Sequence, residues 1–252
     1  MHHVVVSPLV FVSLGCLAPA GDESFIIRSN LATVDGAGCA FTASLGSASL
    51  SRGEVLLDSP IPYLFHPLVE SRITSATGKE SLRTILLKGA DIELQVGPSE
   101  TIDAANTVII DDTIDTIQFR SLFSAPLPPN GGLTAADLDL VPLSTLAAIR
   151  ARVGNTNGQR VHVQVTANAT MFGDYYGDQI ESSPFQFPVT VCNDCVIANR
   201  DPITGKLPAC EGFVATPRLG NPCNVFQDGL VDCCETATGA EQCPAVMVTP
   251  PA

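Results

Sequence analysis

The sequence predicts a mainly β protein, an antiparallel β-sandwich with one short helix and a disulfide-rich C-terminal segment. Three observations lead to this fold class. Several segments have β-type composition and alternate apolar with polar residues. A single stretch has helical spacing of its apolar residues. Of the nine cysteines, most fall between Cys192 and Cys243, where the chain is also rich in Pro, Gly, Asn and Asp.

The predicted strands follow residue 24 and are bounded by turn-forming residues. They are Phe25–Arg28, Gly53–Leu57, Tyr63–Ile73, Thr84–Val96, Thr107–Phe123, Arg160–Met171 and Gln179–Val191. The clearest alternation places Val161, Val163 and Val165 on one face and His162 and Gln164 on the other. Many short strands with one helix predict a sandwich similar to immunoglobulin and fibronectin domains.

The one predicted helix is Leu138–Val153. Its apolar residues, which include Leu146 and Ile149, recur at roughly helical spacing. Pro142 is compatible with a first-turn position, and Gly154 is typical of a helix end.

The last two predicted strands flank Phe172–Asp178, whose glycines and aspartates favour a hairpin loop. Tyr175 and Tyr176, flanked by Asp174 and Asp178, form the predicted contact surface, because aromatic side chains at a loop tip give a large contact area for little loss of entropy. The alternative is that the two tyrosines pack across their own strands.

The first 20 residues predict export. No charged residue lies between Val4 and Ala20, and an apolar core ends in small residues, as in a signal peptide. The expected organisation is a signal peptide at 1–15, a tether at 16–24, the sandwich at 25–191 and a cysteine-rich tail at 192–252.

The sequence Ser13-Leu14-Gly15-Cys16 resembles the lipobox of bacterial lipoproteins. In that family the cysteine is lipidated and becomes the new N-terminus after cleavage. The resemblance implies membrane anchoring through Cys16 and an outer-membrane location in the cell envelope. The alternative is a soluble secreted protein that is cleaved after Ala20.

The eight cysteines other than Cys16 form an even set of disulfide candidates, for which 105 connectivities exist. These are Cys39, Cys192, Cys195, Cys210, Cys223, Cys233, Cys234 and Cys243. Because all but Cys39 lie in the tail and leave an odd number there, Cys39 must pair with a tail cysteine if none stays free. The adjacent Cys233 and Cys234 are expected to have different partners.

The sequence Cys192-Asn193-Asp194-Cys195 is interpreted as a structural disulfide. A redox centre is an alternative, but that chemistry usually needs a helix N-terminus, and no helical pattern follows. A zinc site that includes Cys195, Cys210 and Cys223 is the other alternative.

The formal charge of −13, from 26 acidic and 13 basic residues, argues against a nucleic-acid partner. Acidic residues cluster in turns, and oxygen-rich loops can bind Ca²⁺. The clusters are Asp111, Asp112 and Asp115; Asp174 and Asp178; and Asp228 and Asp232. None has the spacing of an EF-hand loop. We therefore predict solvated turns and no cofactor or metal, with Ca²⁺ as the alternative.

No catalytic residue is predicted. The chain contains neither a Gly-x-Ser-x-Gly nor a His-Glu-x-x-His motif. His66 and His162 are expected to be surface or packed residues. A pair of loop carboxylates that acts as a hydrolase is the alternative, which requires two acids at a defined separation.

The segments Phe185–Cys195 and Gly220–Cys234 resemble the C-terminal pattern of uncharacterised cysteine-rich exported proteins of Gram-negative bacteria. That resemblance implies no activity. We expect a non-enzymatic cell-envelope lipoprotein that is a structural or binding and presentation module, with the membrane and an envelope protein as partners. The alternatives are a secreted hydrolase and a Ca²⁺-dependent adhesion module.

Overall fold

The computed structural model describes residues 24–33, 39–73, 84–102, 107–154, 159–201, 204–211, 213 and 216–245. The predicted signal peptide, Cys16 and the predicted tether up to residue 23 lie outside these residues. Across the described ranges, no helix has the length and apolar character needed to cross a membrane.

The described residues form fifteen strands and one helix. In chain order they are β1 Phe25–Leu31, β2 Ser49–Leu50, β3 Gly53–Leu56, β4 Tyr63–Phe65, β5 Pro67–Ser71, β6 Ile85–Ile102, β7 Val108–Asp111, β8 Asp115–Leu127, β9 Leu133–Ala135, β10 Leu138–Val141, α1 Leu143–Val153, β11 Arg160–Tyr175, β12 Asp178–Glu181, β13 Phe185–Cys192, β14 Cys234–Glu235 and β15 Glu241–Gln242.

Two sheets build the body of the protein. The larger sheet has the order β3-β13-β11-β6-β7, with β8 also paired to β6 and β12 to β11, and a four-stranded sheet has the order β2-β1-β5-β9. Buried apolar residues of both sheets belong to one core. The mainly β class and the disulfide-rich C-terminal segment are confirmed. One strand pair, β13 with β3, is parallel.

The alternation in β11 shows which face of the larger sheet is buried. Val161, Val163 and Val165 are fully buried, while His162 and Gln164 lie on the opposite face, which we call the outer face. Burial of one face removes apolar surface from water, whereas the other face keeps its polar groups hydrated. The predicted orientation of this strand is therefore confirmed.

Three predicted strands are each two strands in the structure. Tyr63–Ile73 divides at His66, because β4 pairs with β10 whereas β5 pairs with β1 in a different sheet. Thr107–Phe123 divides into β7 and β8, and Gln179–Val191 divides into β12 and β13. Composition indicates a local preference for extended backbone, but it does not indicate which neighbouring strand supplies the hydrogen bonds.

Gly97 allows β7 and β8 to share one edge of β6. Its φ is +125°, and a Cβ at this position would collide with the carbonyl oxygen of Thr113, which lies in the turn between β7 and β8. A residue with a side chain would force the turn away from β6.

The predicted helix Leu138–Val153 is wrong in its first four residues, which form β10. Leu138 and Leu140 are buried on alternate positions, as in a strand, and Pro142 at the N-cap stops the helix from extending further back. The predicted end is confirmed, since Gly154 has a φ of +69° and its N–H donates to the carbonyl of Arg150.

Four disulfides connect the eight cysteines of the described residues. The pairs are Cys39–Cys223, Cys192–Cys195, Cys210–Cys234 and Cys233–Cys243. Cys39 reaches the tail, and the adjacent Cys233 and Cys234 have different partners, as predicted. The alternative zinc site is wrong, because each sulfur that would bind the metal is bonded to another sulfur.

The tail extends the larger sheet beyond β3. The N–H of Leu56 donates to the carbonyl of Phe226 (2.9 Å), and the N–H of Asp228 donates to the carbonyl of Glu54 (3.0 Å). The Gln227 side chain accepts from the N–H of Leu64 (2.8 Å) and donates to its carbonyl (2.9 Å). Backbone pairing and a side-chain amide therefore attach the tail to the sandwich.

Candidate functional site

The predicted contact loop is a tight hairpin turn. Strand β11 continues through Tyr175, so the turn consists of Tyr176 and Gly177, whose φ values are +58° and +91°. Asp174 Oδ1 accepts the N–H of Gly177 (3.1 Å), and Asp174 Oδ2 accepts from Lys88 (3.3 Å). These two donors lower the pKa of Asp174, which therefore remains ionised and holds the turn.

The two tyrosines of this hairpin have different environments. Tyr175 is half-buried and packs against the core, whereas Tyr176 is 66% exposed. Their rings meet edge to face with centroids 4.8 Å apart. The predicted contact surface is therefore presented by Tyr176, while Tyr175 supports it.

Exposed apolar side chains lie on the outer face close to the hairpin. Leu86 is directly opposite Asp174 on β11 and Pro126 on β8, and it is exposed. Leu122, opposite Gly89, is 73% exposed. Apolar residues grouped at a surface are typical of contact sites.

The middle of the outer face contains a cavity of ≈ 600 Å³, which we call the outer-face groove. Strands β6, β8 and β11 contribute its base, and Pro184 before β13 contributes a wall. The lining residues are Asp91, Ile92, Glu93, Gln118, Phe119, Asn168, Thr170 and Pro184. Its volume is within the range of small-ligand sites.

Strand register aligns polar side chains across this groove. Asn168 lies opposite Gln186 on β13 and Glu93 on β6, and Glu93 lies opposite Gln118 on β8. Because neighbouring strands are about 4.8 Å apart, these four residues form a row about 14 Å long. The alternation in β11 predicts its polar face but not this row, because the sequences of the separate strands do not indicate their register.

The next row is Thr170, Asp91 and Arg120. Arg120 binds both oxygens of Asp91, at 2.7 and 2.8 Å, and its guanidinium lies over the Phe172 ring at 4.5 Å from the centroid. Arg120 lowers the pKa of Asp91, which is therefore ionised near neutral pH. Asp91 has no proton to supply as a general acid at that pH.

A second polar cluster surrounds Asp228, where the tail meets the sandwich. Burial raises the pKa of Asp228 to about 6. Its Oδ1 accepts the N–H of Glu54 (2.8 Å), and its Oδ2 accepts the Tyr63 hydroxyl (2.7 Å) and the Gln227 amide (3.2 Å). Asp228 also borders a cavity of ≈ 390 Å³ with Glu54 and Arg52.

Asp228 has the raised pKa that a general acid requires. A hydrolase with two carboxylates needs one that is protonated at the working pH and a partner beside it. The protein donors around Asp228 occupy both of its oxygens, and they hold the tail against Tyr63. These contacts connect the tail to the sandwich.

The other acidic clusters take part in local contacts. Asp111 accepts from the N–H (3.0 Å) and the hydroxyl (2.6 Å) of Thr113, and Asp115 is 3.1 Å from Arg152. Asp232 accepts the N–H of Arg218 (2.8 Å). Within the part of the chain that the structure describes, no three His, Cys, Asp or Glu side chains are grouped to hold a metal ion.

The two described histidines each pair with an aspartate. His66 is buried, stacks on Phe41 with centroids 3.8 Å apart, and has its Nδ1 2.6 Å from Asp137. Burial lowers the pKa of His66, so that it is neutral near pH 7. His162 is half-buried on the outer face, and the contact with Asp194 (3.1 Å) raises its pKa.

A third cavity, of ≈ 400 Å³, lies between the tail and the beginning of β11. Several of its charged groups are in ion pairs. Arg200 binds both oxygens of Glu241 (2.9 and 3.0 Å), and Asp58 is 2.8 Å from Arg150. The Cys192–Cys195 disulfide adjoins this cavity through Asn193 and Asp194.

No known protein family, curated protein or solved structure matches this chain.

Proposed function

We propose that this chain is an exported, non-enzymatic lipoprotein of the cell envelope, anchored in the outer membrane through Cys16, and that it binds a partner with the outer face of its larger sheet. The four disulfides support export, because such bonds form and persist in oxidising compartments. The acidic character of the chain favours a partner other than nucleic acid.

Cysteine pairing supports the anchor. Four disulfides use eight of the nine cysteines, and Cys16 is the one that remains. It follows Ser13-Leu14-Gly15 in the sequence that resembles a lipobox. Lipidation requires a cysteine at this position.

The observation that carries the binding function is the outer-face groove in a sheet that also carries an exposed aromatic tip. The groove presents carboxylates, amides and a hydroxyl, and Tyr176 extends from the hairpin at the end of the same sheet. Rigid strands hold these groups, so little conformational entropy is lost when a partner binds.

Metabolic labelling with a fatty acid tests the anchor. We expect label on the wild type and on Cys39→Ser, whose cysteine is in a disulfide, and no label on Cys16→Ser. Equal labelling of wild type and Cys16→Ser would refute lipidation at Cys16.

Site-specific photo-crosslinking in cells tests the binding surface. The crosslinking amino acid replaces Tyr176 in one variant and Leu45 in a control, since both side chains are 66% exposed. We expect a discrete envelope adduct from position 176 and none from position 45. Identical adducts from both positions would show that the hairpin tip has no special role.

A further inference from the structure

We propose that the outer-face groove binds a neutral oligosaccharide, laid across strands β11, β6 and β8. This inference rests on the proposed binding function and adds the chemical class of the ligand. Three observations support it: a preformed cavity, two rows of polar side chains, and the ion pair in which Arg120 compensates the charge of Asp91.

The shape of the groove fits an extended chain. The row of Asn168, Glu93 and Gln118 runs perpendicular to the strands for about 10 Å, and the row of Asp91 lies beside it. A cavity of ≈ 600 Å³ along these rows has room for several linked rings. A single metal ion or a small anion would fill only part of it.

The groups in the groove match sugar hydroxyls. Amide side chains such as Asn168 and Gln118 supply both donors and acceptors, and the Glu93 carboxylate accepts. Each hydroxyl of a sugar is also a donor and an acceptor, so neighbouring hydroxyls can pair with one amide or one carboxylate. Thr170 adds a hydroxyl that works in either direction.

Contacts within the protein prearrange these side chains. Gln118 Nε2 donates to Glu93 (2.7 Å), and Arg120 holds Asp91 through two hydrogen bonds while it lies over Phe172. Groups that are already oriented lose less entropy when they bind a ligand. This compensates in part for the lack of tryptophan, on which sugars often stack.

The charges of the groove disfavour other ligand classes. The carboxylates of Asp91 and Glu93 repel anions, and Arg120 already neutralises Asp91, which weakens the attraction for cations. Asp91 is ionised and has no proton with which to assist cleavage of a bound glycan. Binding without hydrolysis is the expected outcome.

The test is an NMR titration of the ¹⁵N-labelled full chain, purified with its disulfides intact. The probes are three neutral hexasaccharides, cellohexaose, maltohexaose and chitohexaose. We expect at least one of them to shift the side-chain amide signals of Gln118 and Asn168 saturably. Shifts that are absent for all three sugars, or confined to residues outside the groove, would overturn the proposal.

Variants of two amides provide the matched comparison. Asn168→Ala and Gln118→Ala are each expected to weaken binding about tenfold, which corresponds to the loss of one or two hydrogen bonds to the ligand. Gln164→Ala is the control, because Gln164 lies on the outer face of β11 but not in the groove. Equal affinities for all four proteins would overturn the assignment of the groove. The same spectra report whether each variant is folded.

The two proposals fail in different ways. If no sugar binds while Cys16 is lipidated and position 176 crosslinks, the ligand class is wrong and the envelope binding function stands. If sugars bind the groove while both cellular tests fail, the anchored location is wrong and the groove assignment stands.

Discussion

The Tyr63 hydroxyl donates a 2.7 Å hydrogen bond to Asp228, a residue 165 positions away in the chain. Tyr63 is fully buried in the sandwich, and Asp228 belongs to the tail. The cysteine-rich tail is therefore attached to the core of the protein by a partly buried polar contact, in addition to the Cys39–Cys223 disulfide.

The half-buried Asp228 makes the stability of this attachment depend on pH. Its pKa rises from its usual 3.8 to about 6 in the folded protein, so the folded state binds this proton more tightly than the unfolded state does. The contribution of Asp228 is therefore most favourable at low pH and declines as the pH rises through about 6. The full cost at neutral pH is about 3 kcal/mol, since a tenfold change in proton affinity equals 1.36 kcal/mol.

We expect Asp228→Asn to flatten this dependence. Relative to wild type, the free energy of unfolding of the variant should increase by about 2 kcal/mol when the pH changes from 4.5 to 7.5, as measured by denaturant titration. Asp178→Asn, which alters an exposed carboxyl, is the control and should follow the wild type. Parallel pH profiles for wild type and Asp228→Asn would show that burial does not shift this carboxyl.

The disulfides are expected to contribute according to the length of chain that they close. Cys39–Cys223 spans 184 residues and Cys210–Cys234 spans 24. Loop entropy predicts losses of about 5 and about 3.5 kcal/mol when each pair is replaced by alanine. Denaturant titration of the two double variants measures both losses. A smaller loss for the long loop would mean that Cys39–Cys223 adds little beyond the contacts of Asp228 and Gln227.

Tyr176 occupies a position that favours a different residue. Its φ of +58°, followed by glycine, is typical of a turn in which Asn-Gly is preferred. We expect Tyr176→Asn to stabilise the protein by about 0.5 kcal/mol, because asparagine adopts this conformation more readily than tyrosine. A thermal melt measures the change, and Tyr176→Phe should be neutral.

Destabilisation of Tyr176→Asn by more than about 1 kcal/mol would contradict this expectation, since it would mean that the ring contact with Tyr175 outweighs the backbone preference. The predicted gain in stability would support the view that tyrosine is kept at this tip for contact with a partner.

Period-two patterns gave correct orientations where a strand has one buried and one hydrated face. The valines of β11 point to the core as the alternation of Val161 and Val163 predicts. Gly154 was also correctly predicted as the helix end, because a positive φ after the last turn is a local requirement. Patterns of this kind depend on near neighbours in the chain, so they can be predicted from the sequence.

The residue at which a chain leaves one sheet for another was not predictable in the same way. Nothing in Tyr63–Ile73 indicates that His66 separates β4 from β5, since both halves have strand composition. The groove was not predictable for a similar reason. Asn168, Glu93 and Gln118 lie far apart in the chain, and only strand register brings them into one row.

The sequence by itself determined the mainly β class, the cysteine-rich end, and the need for Cys39 to pair with the tail, because composition, alternation and parity are properties of the chain alone. Only the tertiary structure decided which cysteine Cys39 joins, which residues surround Asp228, and which polar residues form the groove. The physical reason is that hydrogen bonding, burial and shifted pKa values arise from neighbours distant in sequence, and packing selects those neighbours.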